Sequence, residues 1–199
     1  MASKEEARVK AMAAVQSIFD KYFLLAARRP HDHVDYDYET MRQLKLVDAG
    51  PEGSVLFEMT IGKNFSNLND VMHGGAAGVI FDMSTTTALG PLSRPGFYYF
   101  LGGVTRTLNI SYLRAVPTGT TVRLRSWVTS VGRTMAMIRG EMTSVDGKLV
   151  YCTAEHHKVN LDPKPEHAAV KTKWEDELEA EIARTAREKV EKKRRAEKL

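Results

Sequence analysis

Residues 67–90, NLNDVMHGGAAGVIFDMSTTTALG, constrain the fold more than any other stretch of the chain. Behind the paired glycines 74 and 75, Val79, Ile80, Phe81, Met83, Ala88 and Leu89 make a helix that is apolar on nearly all sides. Such a helix has to be buried in a fold. The chain beyond the helix offers sheet: four runs with strand character, about 99–114, 120–131, 134–145 and 149–160, separated by turn signals at PTG (117–119), Gly132-Arg133 and DGK (146–148). A strand with alternating apolar residues, Val55, Phe57, Met59 and Ile61, precedes the helix, and a further strand is expected near 41–48. Short turns imply antiparallel neighbours, and the economical way to bury one apolar helix is to curl a sheet around it. The expectation is an α+β fold, with a long central helix wrapped by a curved antiparallel sheet of five to six strands and helical extensions at both ends.

At 199 residues the chain has room for one core with appendages. Ser3 and Glu6 have capping-box spacing, and the apolar residues from Met12 to Leu25 recur at helical intervals until Pro30, which marks 1–30 as an amphipathic helix. The main domain is expected at 31–165, with 166–199 as a charged helical tail in which Trp174, Leu178 and Ile182 recur every four residues. The net charge of +4 belongs to that tail, because residues 184–199 alone hold eight Lys or Arg against three Glu. Bases late in a helix complement its dipole, so the tail is read as a solvated, weakly packed helix rather than a nucleic-acid binder. HDHVDYD (31–37) is read as a polar linker, not a metal site. One cysteine, Cys152, excludes an intrachain disulfide and suits a reducing compartment. With no long uninterrupted apolar stretch, no integral membrane segment is expected; the expected location is cytoplasmic, with mitochondrial import as the other option.

Two features of the central helix point to chemistry. Gly74 and Gly75 thin its start, where unpaired backbone N–H groups carry the positive end of the helix dipole and can hold an anion or a developing oxyanion. Asp82 sits in its apolar middle, where an unpaired carboxylate is costly and is therefore either hydrogen-bonded or working. Nine residues separate His73 from Asp82, ~13 Å of rise and about two and a half turns, on opposite faces. If both serve one site, the Asp comes from a second copy across a two-fold axis.

The spacing of Asn67, His73, Gly74, Gly75 and Asp82, together with GGVTRTLNISYLRAV (102–116) beyond it, resembles the hot-dog acyl-CoA thioesterases of the PaaI-like group over residues 40–161. The resemblance implies acyl-CoA hydrolysis without metal or cofactor by a homodimer or homotetramer with continuous sheets. Gly74 N–H would polarise the thioester carbonyl, with Gly75 beside it at the binding surface. His73 and Asn67 would position the thioester and water, and Asp82 would act as base or nucleophile. Thr105 stands where the family commonly has a Ser holding the water. The rival readings are a non-catalytic hot-dog module that binds acyl chains or serves as a scaffold, and an enoyl-CoA hydratase-type enzyme. FYYF (97–100), Met83, Met135 and Met137 are candidates for an acyl channel, and Arg106, Arg114, Arg133 and Lys158 are bases within reach of CoA phosphates. Cys152 is read as packing, and His156 and His157, consecutive in a strand, face opposite sides.

Overall fold

The computed structural model describes residues 3–196; Met1, Ala2 and the last three residues of the charged tail, Lys198 among them, lie outside the described residues. Six antiparallel strands form one sheet in the order β1-β2-β4-β5-β6-β3: β1 Lys45–Gly50, β2 Ser54–Thr60, β3 Val104–Tyr112, β4 Thr121–Val131, β5 Met135–Ser144 and β6 Val150–Val159. The central helix, α3 (Gly74–Thr87), packs on the inner face of β5 and β6 and the strands around them. Ala77, Ile80 and Phe81 on α3 are fully buried together with Phe57, Leu124, Ile138 and Met142 from the sheet. Close approach is possible because β5 carries Gly140 opposite α3, where an added Cβ would lie about 3 Å from Phe81 and Thr85.

The short turns at 132–134 and 145–149 do join sheet neighbours, β4 to β5 and β5 to β6. The turn at 117–119 does not. β3 and β4 stand on opposite sides of the β5–β6 pair, and residues 113–120 are a crossover whose backbone bonds to the loops around Ile61 and Met72. β3 therefore becomes an edge strand, paired only with β6. It is also shorter than the sequence suggested, because residues 98–103 form a loop with left-handed backbone at Tyr98, Leu101, Gly102 and Gly103.

α1 (Lys4–Ala26) begins with the expected capping box and closes one end of the core through Val15 and Phe19, the latter packed on Phe57. The stretch read as the start of a strand is instead a short helix, α2 (Tyr38–Gln43), leading into β1. After a single-turn helix, α4 (Pro165–Ala168), the tail forms α5 (Lys173–Ala196). Its first turn is docked firmly. Glu175, 4 % exposed in its side chain, bonds Lys21 of α1 at 2.6 Å, and Ser17 bonds Thr172 at 2.6 Å beside it. Thr172 and Glu175 also exchange the two hydrogen bonds of a capping box. Among the described residues no helix is long and apolar enough to cross a membrane, and no cluster of three or more potential metal ligands forms.

Candidate active site

The acid in the apolar helix is neither isolated nor fully buried. Asp82 projects from α3 toward the β3–β6 pair with 31 % of its side chain exposed. Its Oδ1 accepts a 2.8 Å bond from the Thr105 hydroxyl and lies 3.6 Å from His156 Nε2 and 3.9 Å from Lys158 Nζ. All of these contacts go to Oδ1, Oδ2 makes no hydrogen bond among the described residues, and the Asp82 side chain lines an adjoining cavity of about 250 Å³. The neighbouring threonines do not bind the carboxylate: Thr85 faces His156, Thr86 accepts from Lys158, and Thr87 donates to the Ser84 carbonyl.

Thr105 reaches Asp82 through an irregularity in β3. Leu108, Ile110 and Tyr112 pair opposite the inward-facing His156, Ala154 and Cys152, so strict alternation would turn Thr105 outward. The register slips between Thr105 and Thr107, which makes Arg106 the extra residue of a bulge and brings Thr105 opposite Lys158, on the inner face. His156 and Lys158, two apart on β6, complete the cluster. His156 Nδ1 meets Thr85 Oγ1 at 2.6 Å and Nε2 meets Thr105 Oγ1 at 3.0 Å, while Lys158 Nζ donates to Thr86 at 2.9 Å.

Burial sets the charges of this cluster. His156 is held neutral, its pKa pushed down to about 4 by desolvation and then by the Lys158 cation. Desolvation also lowers Lys158 to about 8, against the pull of Asp82. Lys158 is therefore not a surface base available to CoA phosphates, as the sequence had suggested; it is 3 % exposed and serves the interior. Alternation along AEHHKV puts positions 154, 156 and 158 on one face, without saying that this face is the core. Cys152 is buried, its thiol raised to about 11 by desolvation, which suits packing rather than attack.

His73, Gly74 and Gly75 lie elsewhere on the subunit. His73 is the N-cap of α3 and its Nδ1 accepts from Gly75 N–H at 2.9 Å, so that N–H is already engaged. The Gly74 N–H meets no acceptor within the chain among the described residues. A Cβ at Gly74 would touch only Tyr112, and one at Gly78 would meet open space, so neither glycine is there for tight packing within the subunit. Asn67 folds its own loop, accepting from Asn69 N–H at 2.9 Å. His73 and Gly75 line a second cavity that Asp82 does not reach, in keeping with opposite faces of the helix. Of the proposed acyl-channel residues Met83 lines the cavity beside Asp82. Tyr99 and Phe100 point away toward α5 and α4, and Met137 lies on the less buried face of β5.

Comparison with known proteins bears on this arrangement. Residues 69–151 match the model of the thioesterase superfamily. The fold is the hot-dog fold of these thioesterases, and the stretch 69–151 is similar to their superfamily. It is 28 % identical over 109 residues to human acyl-coenzyme A thioesterase 13, covering 54 % of this chain and 74 % of the relative. Among solved structures, zebra fish thioesterase superfamily member 2 superposes with a TM-score of 0.59 at 24 % identity, covering 75 % of this chain and 97 % of that one. A hypothetical thioesterase from Streptococcus pneumoniae, solved with coenzyme A, gives 0.53 at 19 % identity over 62 % and 90 % of the two chains. The match to the superfamily spans α3 with Asp82, β3 with Thr105, β4 and β5; α1, α2, β1, β2, all of β6 after Tyr151 including His156 and Lys158, and α5 lie outside it.

Proposed function

We propose that the protein hydrolyses acyl-CoA thioesters at a site shared by two subunits. Asp82 Oδ2 takes a proton from water as the water oxygen attacks the thioester carbonyl carbon. The Gly74 N–H of a second copy, at the start of its α3, stabilises the oxyanion that forms. As the C–S bond breaks, the CoA thiolate recovers that proton from Asp82. Thr105 fixes the carboxylate by holding Oδ1, and neutral His156 supports Thr105. Asn67 and His73 of the second copy flank the thioester. The single observation that carries this reading is the half-occupied Asp82 carboxylate, one oxygen tied to Thr105 in a side chain that lines a cavity. The shared arrangement is supported by the separation of His73 from Asp82 and by β3, an exposed edge strand whose outer side is ready to pair with a second β3. In this reading residues 31–165 are the hydrolase unit, and 1–30 and 166–199 are extensions that frame it.

The test is thiol release from a panel of acyl-CoAs. Asp82→Asn should lower kcat/KM by about a hundredfold or more, the scale of losing a positioned acid or base. Mixing Asp82→Asn chains with His73→Ala chains should recover part of the activity in hybrid dimers. No hydrolysis of any thioester by the native protein would defeat the reading. Proven subunit exchange without recovery would defeat the shared site.

A further inference from the structure

The cavity at Asp82 has a second end. From Asp82, Thr105 and Lys158 it runs past Met83 to Thr87, nearly a turn and a half further along α3, or ~7.5 Å of helix rise, and stops against Ile18 and Tyr22 of α1 and Met41 of α2. This end is built by elements outside the stretch that matches the superfamily. It is also fastened: the Tyr22 hydroxyl donates to Asp37 Oδ1 at 2.6 Å, and the Tyr22 ring packs edge-on against Phe23. Resting on the hydrolase reading, we infer that this cavity holds the acyl chain and that Ile18, Tyr22 and Met41 set its maximum length, making the site selective for short and medium unbranched acyl groups.

The volume and chemistry agree. About 250 Å³ exceeds the roughly 150 Å³ in which a benzene binds in an apolar protein cavity, and at ~30 Å³ for each water-sized group it takes roughly eight methylenes. Met83, Leu101 and Val104 give the cavity an apolar lining, which suits an alkyl chain; Asp82, Thr105 and Lys158 make its polar end, where the thioester would lie, and the carboxylate at the far end, Asp37, has its Oδ1 capped by the Tyr22 hydroxyl. Lengthening the chain beyond the wall requires Tyr22 to swing aside and leave the Asp37 carboxylate without its donor. That cost falls only on long chains, so it acts as a length limit rather than a general barrier.

The test uses the full-length protein and two variants that move the wall in opposite directions, Tyr22→Ala to open it and Ile18→Phe to fill it. Two readouts run in parallel: kcat/KM on acyl-CoAs from butyryl to palmitoyl, and binding of the non-hydrolysable S-alkyl-CoA thioethers of the same lengths. In the native protein both readouts should rise from butyryl to octanoyl and then stop rising. Tyr22→Ala should raise the palmitoyl-to-octanoyl ratio about tenfold, the scale of one or two methylene contacts. Ile18→Phe should lower the octanoyl-to-butyryl ratio by a similar factor. Ratios within one protein are insensitive to partial unfolding, and Ile18→Phe stands alone if Tyr22→Ala does not fold. Hydrolysis with an unmoved length profile overturns this inference and leaves the hydrolase reading intact. Thioether binding whose length limit tracks the variants, without hydrolysis, sustains the inference and defeats the hydrolase reading.

Discussion

Two lysines of this protein are almost equally buried and do opposite things. Lys21, 5 % exposed in its side chain, meets Glu175 at 2.6 Å, and both oxygens of that carboxylate are engaged, one by Lys21 and the other by the Thr172 N–H. Lys158, 4 % exposed, stops 3.9 Å short of Asp82 and donates instead to Thr86. The first pair is closed, with every charge answered inside α1 and α5. The second is open, its carboxylate a third exposed at the edge of a cavity. Burial of a charge by itself therefore does not mark a site; what marks it is a buried charge whose partner is left half-satisfied.

The largest expected effect lies at the closed pair. Glu175→Ala leaves the Lys21 ammonium buried without a counterion, and breaking such a pair from one side costs about 3–5 kcal/mol. Denaturant melts should show this loss, although α5 looks dispensable from sequence. Replacing both partners together, Lys21→Met with Glu175→Leu, removes the orphaned charge and should restore most of the stability. If Glu175→Ala melts like the native protein, the two pairs are not different in kind and the contrast between them fails.

That outcome would also restore the sequence's own view of the tail. The bases of residues 184–194 and the acids of the first turn do suggest a solvated helix, and from Arg184 to Arg194 α5 is exposed as expected. Docking hangs on Thr172 and Glu175, whose T-x-x-E spacing was visible but looks like any helix start. Asp82 was legible because a carboxylate amid Val79, Ile80, Phe81 and Met83 conflicts with its surroundings, and Gly74 because a glycine pair opens that helix. His156 and Lys158 were not, since alternation says that they share a face but not which face is the core. Thr105 stands where the resemblance implies a hydroxyl, yet its inward aim depends on the bulge at Arg106, a slip of register between two strands 50 residues apart that no local pattern encodes.

A smaller effect is expected at the open pair. Lys158→Met keeps the stem and removes the charge, which spares the fold the cost of a desolvated ammonium. It should lower kcat/KM on a good acyl-CoA by about tenfold to a hundredfold, or roughly 1.4–2.7 kcal/mol of transition-state stabilisation, with the melting transition unchanged or raised. Because burial sets the Lys158 pKa at about 8, native kcat/KM should decline as pH rises through that value and the cation is lost. The variant should lack that alkaline limb. A Lys158→Met protein that is fully active but less stable would place Lys158 beside Lys21 as a structural charge.

The smallest effect separates the two regions by pH alone. His156 is fully buried and neutral, with its folded pKa near 4 against 6.5 in an unfolded chain. Between those values the unfolded state binds a proton that the folded state does not, so stability rises with pH across that window and is lost as the solution is acidified below 6.5. From pH 7 to pH 6 the loss attributable to His156 is under about 1 kcal/mol, and it steepens toward pH 5. His156→Gln, which keeps a polar group facing Thr85 and Thr105 but cannot be protonated, should flatten this part of the stability profile. Glu175→Ala, which leaves His156 and its surroundings in place, should displace the profile downward without changing its slope there. An unchanged slope in His156→Gln would mean that the acid sensitivity originates outside the Asp82 cluster.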